Sequence, residues 1–175
     1  MLYFLLTPSN FQSNQKLTVL SLVFTVTYLI PLLILILFKK LKVTKSYEPN
    51  TIKERKLPVA LMIVLFYLLG NTTSHIGNLA LLFYATSFGL VFIYILFFFN
   101  IKASIHLLSL GLFAGFFMIL SIIYAQSYIL LIMILLLLSG VLASARLNLK
   151  AHTTKEIYIG FFIGIGAPLL VYLLL

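Results

Sequence analysis

Arg146, His152 and Glu156 fall within one short stretch, "RLNLKAHTTKE", between two long apolar runs. A guanidinium fork matches phosphate oxygens, an imidazole serves as base or nucleophile near neutral pH, and a carboxylate beside it fixes ring orientation and tautomer. His152 and Glu156 are four apart, so they are neighbours if a helix begins here. A simpler account of Glu156 also exists: Thr153 and Glu156 have the spacing of a capping box, and a carboxylate suits a first helical turn. The two roles are compatible. On one continuous helix Arg146 and His152 would point about 120° apart. The intervening "NLK" and the Thr pair predict a break, which lets one helix end deliver Arg146 and the next helix start deliver His152. The simpler account of Arg146 is a cation snorkelling at a span end.

"NIKASIHLL" holds a second group of chemically capable residues: Lys102, Ser104 and His106. His106 opens an otherwise apolar helix, and an ionisable group at that position is more often functional than not. His75 has no sequence partner and reads as an ordinary interfacial residue, and the Asn71-Thr72-Thr73 sequon reads as chance. Gly111 with Gly115, and Gly160 with Gly164, have the small-xxx-small spacing that lets membrane helices approach closely. Packing of those two segments would bring the helix carrying His106 beside the one following His152.

What must position these residues follows from composition. The 175-residue chain is 63% hydrophobic and 9% charged, where a soluble domain would carry roughly a quarter charged residues. A bilayer accommodates such runs, since a spanning helix needs about 20 apolar residues and satisfies its own backbone. The expected fold is all-α: a single integral-membrane domain over 1–175, a polytopic bundle of about six transmembrane helices. The spans are read at about 17–38, 57–73, 79–99, 105–125, 127–147 and 157–175. The second is the shortest, and a re-entrant segment there, leaving five spans, is the alternative. "MLYFLL" is apolar but short and lacks a charged leader, which argues against a cleavable signal peptide.

Six spans place the loops at 39–56, 100–104 and 148–156 on one face. Of the 12 Lys and Arg residues only Lys16 then falls on the other, and Glu48, Glu54 and Glu156 join the basic face. The positive-inside rule makes that face cytoplasmic. The net charge of +9 lies in short loops rather than along a basic groove, so it signals topology and anionic head groups, not nucleic acid. With no cysteine, disulfides, thiolate metal sites and a cysteine nucleophile are excluded. No Gly-rich phosphate loop is present, which disfavours a nucleotide-dependent enzyme.

Arg146, five residues, His152, three residues, Glu156, then Gly160 and Gly164: this pattern resembles the third motif of the type 2 phosphatidic acid phosphatase superfamily. Those proteins are membrane-embedded lipid phosphatases with a six-helix core. Ala145 occupies the usual serine position, with Ser144 displaced by one, and Glu156 replaces the usual Asp. Ala103-Ser104-Ile105-His106 resembles the second motif, Pro-Ser-Gly-His, keeping Ser and His. The first motif has only a weak counterpart, Arg55 three residues before Pro58. The resemblance covers about residues 100 to 166 well and 45 to 58 weakly, and points to small, divergent bacterial members.

The resemblance implies a lipid phosphate or diphosphate substrate and a phosphohistidine mechanism in the bacterial inner membrane, with no cofactor. His152 would be the nucleophile, Glu156 its orienting carboxylate and His106 the acid for the leaving oxygen. Arg146 and Ser104, helped by Lys102 and Arg55, would hold the phosphoryl oxygens. No metal is implied, in keeping with the lack of an acidic cluster in the sequence. Sites in this superfamily usually face outward, whereas the charge count puts this one inside; the expectation follows the charge count. Ile105 in place of Gly and the weak first motif keep a second expectation open: a non-catalytic polytopic membrane protein, whether degenerate relative, lipid carrier or transporter.

Overall fold

The structure, a computed structural model, describes residues 13–40, 51–76 and 78–174. The N-terminal "MLYFLL" and the loop segment holding Glu48 lie outside them. Every regular element is helical: α1 (Ser13–Phe24), a π turn (Thr25–Leu29), α2 (Ile30–Lys40), α3 (Ile52–Thr72), α4 (Leu79–Leu96), a 3-10 turn (Phe97–Phe99), α5 (Ile105–Tyr124), α6 (Ile129–Asn148) and α7 (Thr154–Leu174). Among the described residues, five stretches are long and apolar enough to cross a bilayer: Leu17–Ile34, Leu79–Phe99, Ile105–Tyr124, Ile129–Asn148 and Thr154–Leu174. This is an integral membrane protein with an all-helical, multi-pass fold. The remaining expected segment, 57–73, is the apolar part of α3. That helix is continuous and starts earlier, with the charged run "IKERK".

The chain forms two compact units, Met1–Pro58 and Val59–Leu175, each described by itself. In the first, one helical run is interrupted by the π turn just before Pro31. Proline has no amide hydrogen to give and its ring crowds the preceding turn, so the ladder widens there. The Ile30 amide reaches back five residues to the Thr25 carbonyl, and the Thr27 hydroxyl donates to the Val23 carbonyl at 2.7 Å. At its far end Thr51 caps α3, its hydroxyl accepting from the Glu54 amide at 3.3 Å.

The second unit is built around α5. Leu107, Leu108, Phe116, Phe117, Ile119 and Leu120 are all fully buried. Its packing against α7 is backbone to backbone, because the four glycines remove the side chains that would hold the helices apart. A Cβ on Gly111 would run into the Phe161 carbonyl oxygen and stand 3.1 Å from Gly164 Cα. One on Gly115 would stand 2.6 Å from the Ile165 oxygen. The expected Gly-xxx-Gly packing is therefore present. Helix α4 joins through the Ser87 hydroxyl, which donates to the Ile63 carbonyl of α3 at 2.9 Å. Helix α6 packs on α5 and otherwise shows its apolar surface, with Ser139 its buried residue. In a bilayer such a surface is the normal lipid face. The chance sequon ends α3: Thr73 is buried, and its hydroxyl donates to the Leu69 carbonyl at 2.7 Å.

Candidate functional site

The break expected between Arg146 and His152 is a tight reversal. Helix α6 ends in a Schellman arrangement: the Ala151 amide donates to the Arg146 carbonyl at 3.1 Å, and the Lys150 amide to the Leu147 carbonyl at 2.9 Å. Lys150 takes the left-handed conformation (φ 51°) that the motif requires. Arg146 thus lies in the last turn of α6, and His152 stands two residues before the start of α7.

Helix α7 opens with the capping box anticipated from the Thr153–Glu156 spacing. The Thr153 hydroxyl accepts from the Glu156 amide at 3.4 Å, and a Glu156 carboxylate oxygen (Oε2) accepts from the Thr153 amide at 3.3 Å. That same oxygen lies 2.8 Å from His152 Nδ1. The cap and the carboxylate–imidazole contact of Glu156 therefore coexist in one geometry. His152 itself precedes the helix, so the pair arises from the cap rather than from helical i,i+4 register. A carboxylate on Nδ1 selects the tautomer with its proton there and leaves a lone pair on Nε2.

The second group comes from α5. Ser104 is the N-cap of that helix but uses its hydroxyl for no cap bond. Its amide donates instead to the Glu156 backbone carbonyl at 3.0 Å, which ties the start of α5 to the first turn of α7. Gly160 makes this contact sterically open, since a Cβ there would collide with the Ser104 carbonyl oxygen. The Ser104 hydroxyl is fully buried with no hydrogen-bond partner, an arrangement that costs about 1–3 kcal/mol. In the first turn of α5, His106 Nε2 lies 2.7 Å from an Arg146 guanidinium nitrogen. A guanidinium only donates, so this contact needs an unprotonated Nε2 on His106.

Ser104, His106, Arg146, His152 and Glu156, read from two stretches some 40 residues apart in the chain, are thus joined at one end of the second unit. Lys102 is half-buried in the loop two residues before Ser104. Arg55 lies in the first unit, in the opening turn of α3, where its amide donates to the Thr51 carbonyl at 3.2 Å. Among the described residues, no cluster of three His, Cys, Asp or Glu side chains is placed to ligate a metal ion. His75 is exposed beyond the far end of α3. Two features escaped sequence reasoning: the Ser104–Glu156 backbone bond, which no side-chain pattern announces, and the open position of Gly140. The latter could have been suspected from a lone glycine in a leucine-rich helix.

Comparison of the chain with protein-family models, with curated proteins and with solved structures returns no match. The site is therefore read from its own geometry.

Proposed function

We propose that this chain is a membrane lipid phosphatase that hydrolyses a lipid phosphate or diphosphate through a phosphohistidine intermediate. The observation that carries the reading is the joining of Arg146–His106 and His152–Glu156 through the Ser104–Glu156 backbone bond. The electrostatics favour an anion. Helices α5 and α7 begin at this end while α4 and α6 end there, so the helix dipoles offset one another and the positive charge is that of Arg146 and Lys102.

In this reading His152 Nε2 attacks phosphorus, an N–P bond forms, and the P–O bond to the lipid breaks. His106 gives its proton to the departing oxygen. Water then attacks the phosphohistidine, passing a proton back to His106 as the N–P bond breaks and phosphate leaves. Glu156 stabilises the charge that develops on the imidazole. The phosphoryl oxygens offer Arg146 a charged acceptor in place of His106. Arg146 turning onto them frees His106 Nε2 to carry the proton that the step requires. The buried Ser104 hydroxyl supplies a further donor. In this reading the membrane is a bacterial inner membrane, and the charge count favours the cytoplasmic side for this end.

One observation favours the second reading, a non-catalytic polytopic protein with the same polar cluster: the His152 side chain is only 4% exposed. The discriminating measurement is metal-free phosphate release by the detergent-purified protein. The substrates are phosphatidic acid, phosphatidylglycerol phosphate and polyprenyl phosphates and diphosphates, each tested beside His152→Ala. The expected result is release that falls by at least about 10³-fold in the variant. Equal release from both proteins would sink the assignment of His152. No release from any substrate by a folded protein would establish the non-catalytic reading.

A further inference from the structure

Helices α6 and α7 are joined by only five residues, and helices so connected ordinarily pack side by side. Here they scarcely touch; each packs on α5 instead. The result is a cleft of about 300 Å³, with Leu107 of α5 as its floor and α6 and α7 as its walls. We infer that this cleft seats one hydrocarbon chain of the substrate, and that Gly140 is the residue that keeps it open. The inference rests on the lipid-phosphatase reading and deepens it by naming a chain-bearing phosphate as the substrate class.

The cleft begins at the same helix ends that carry the polar site. Its residues are the chain neighbours of the chemically active ones: Leu107 follows His106, Leu147 follows Arg146, and Thr154 and Ile157 bracket Glu156. From Thr154 it runs down α7 to Phe161, roughly 10 Å along the helix axis. That carries it from the head-group level well into the apolar layer of a bilayer about 30 Å thick. A ligand seated there would have a polar end among the histidines and a hydrocarbon end between the helices.

Its walls are mostly apolar. Ser139 is buried and its hydroxyl donates to the Leu135 carbonyl of its own helix at 2.7 Å. Apart from the Thr154 mouth and Tyr158, the remaining lining is aliphatic, aromatic or glycine. On α6, Gly140 stands with open space where a Cβ would be. A leucine there would enter the cleft, and it would also raise helix propensity, so folding is not endangered. The volume is at the small end for ligand pockets, enough for a stretch of one chain and not for two side by side.

Gly166 is the matched control. It is also a helical glycine with open space at its Cβ position, but it lies on α7 outside the cleft. The experiment compares wild type, Gly140→Leu and Gly166→Leu as full-length protein in detergent. Phosphate release is measured from lysophosphatidic acid, which has one chain, and from p-nitrophenyl phosphate, which has none. The readout is the ratio of kcat/KM for the two substrates. It should fall by on the order of tenfold in Gly140→Leu, through KM for the lysolipid, and hold at the wild-type value in Gly166→Leu. An unaltered ratio in Gly140→Leu, or an equal fall in Gly166→Leu, would overturn the assignment.

A second readout does not depend on turnover. A lysophosphatidic acid carrying a diazirine in its chain should label peptides of α6 and α7 in wild type, and label them less in Gly140→Leu. Absence of that label, or label indifferent to the substitution, refutes the chain seat. If wild type releases phosphate from neither substrate but is labelled as described, the catalytic reading fails while the chain seat stands.

Discussion

The two ends of the second unit meet the same structural problem and solve it with different chemistry. At both ends helices must stop, reverse and satisfy their terminal backbone groups. At the end that holds Thr73, Asn78 and residues 125–128, His75 stands exposed and the hydrogen bonds that close the helices join neutral groups. The Asn78 amide donates to the Tyr124 hydroxyl at 3.3 Å, the Tyr128 hydroxyl to Gln126 at 2.9 Å, and the Ser121 hydroxyl accepts from the Tyr128 amide at 3.4 Å. At the other end the reversals bring together two histidines, an arginine and a glutamate. The fold itself does not require ionisable groups to close a helix end. Their gathering at one end therefore calls for an account beyond stability, and the phosphate-handling site proposed above is one that can be tested.

The largest effect should come from the packing that holds the polar end together. Gly164→Ala places a Cβ against the Leu108 carbonyl, within 2.9 Å of the Leu112 amide nitrogen, so backbone must shift; the expected cost is about 3 kcal/mol. Gly166→Ala, in open space on the same helix, should be neutral or stabilising by up to about 1 kcal/mol. Thermal unfolding in detergent, followed by circular dichroism, reads both. Similar melting temperatures for the two variants would break the claim that close α5–α7 contact assembles the site.

Next in size is Glu156→Gln, which separates the two roles of that residue. Glutamine still serves a capping box but cannot stabilise a charged imidazole. The expected outcome is a fall in kcat of about 100-fold with a melting temperature within experimental error of wild type. Glu156→Ala should lose activity and, in addition, about 1 kcal/mol of stability. If the glutamine variant keeps full kcat, the carboxylate is only a cap and the polar end resembles its neutral counterpart after all.

A smaller effect is expected at the opposite end. Tyr124→Phe removes one neutral hydrogen bond to Asn78 and should cost about 1 kcal/mol or less, leaving phosphate release at the wild-type level. Activity lost in step with a catalytic-end variant would erase the distinction between the ends.

How much of this was legible in sequence follows from the reach of each interaction. The apolar runs, the cap at Thr153 and the glycine pairs are local or periodic patterns, and each reappears as a helix, a capping box or a backbone contact. The Arg146–His152 break was legible because polar residues interrupt an apolar run. The Arg146–His106 pairing spans 40 positions and depends on which helices pack. No single-sequence pattern dictates that, although the glycine spacing pointed to the right pair of helices. Helix α3 begins five residues before the expected span, because Thr51 caps it and the charged run "IKERK" continues as helix beyond the apolar part. The α6–α7 cleft was illegible for the opposite reason: a short connection predicts packing, and the two helices part.

The smallest effect sits in the reversal itself. Lys150 adopts φ 51°, a conformation that costs a residue with a Cβ roughly 1–2 kcal/mol and glycine almost nothing. Lys150→Gly should therefore stabilise the protein, by about 0.5–1 kcal/mol once the greater freedom of glycine in the unfolded chain is counted. The side chain is exposed, so phosphate release should hold while the melting temperature rises. A stabilised protein with reduced activity would mean that the lysine charge, and not only the backbone turn, belongs to the polar end. The basic character of that loop would then count with Arg146 among the features that separate it from the neutral end.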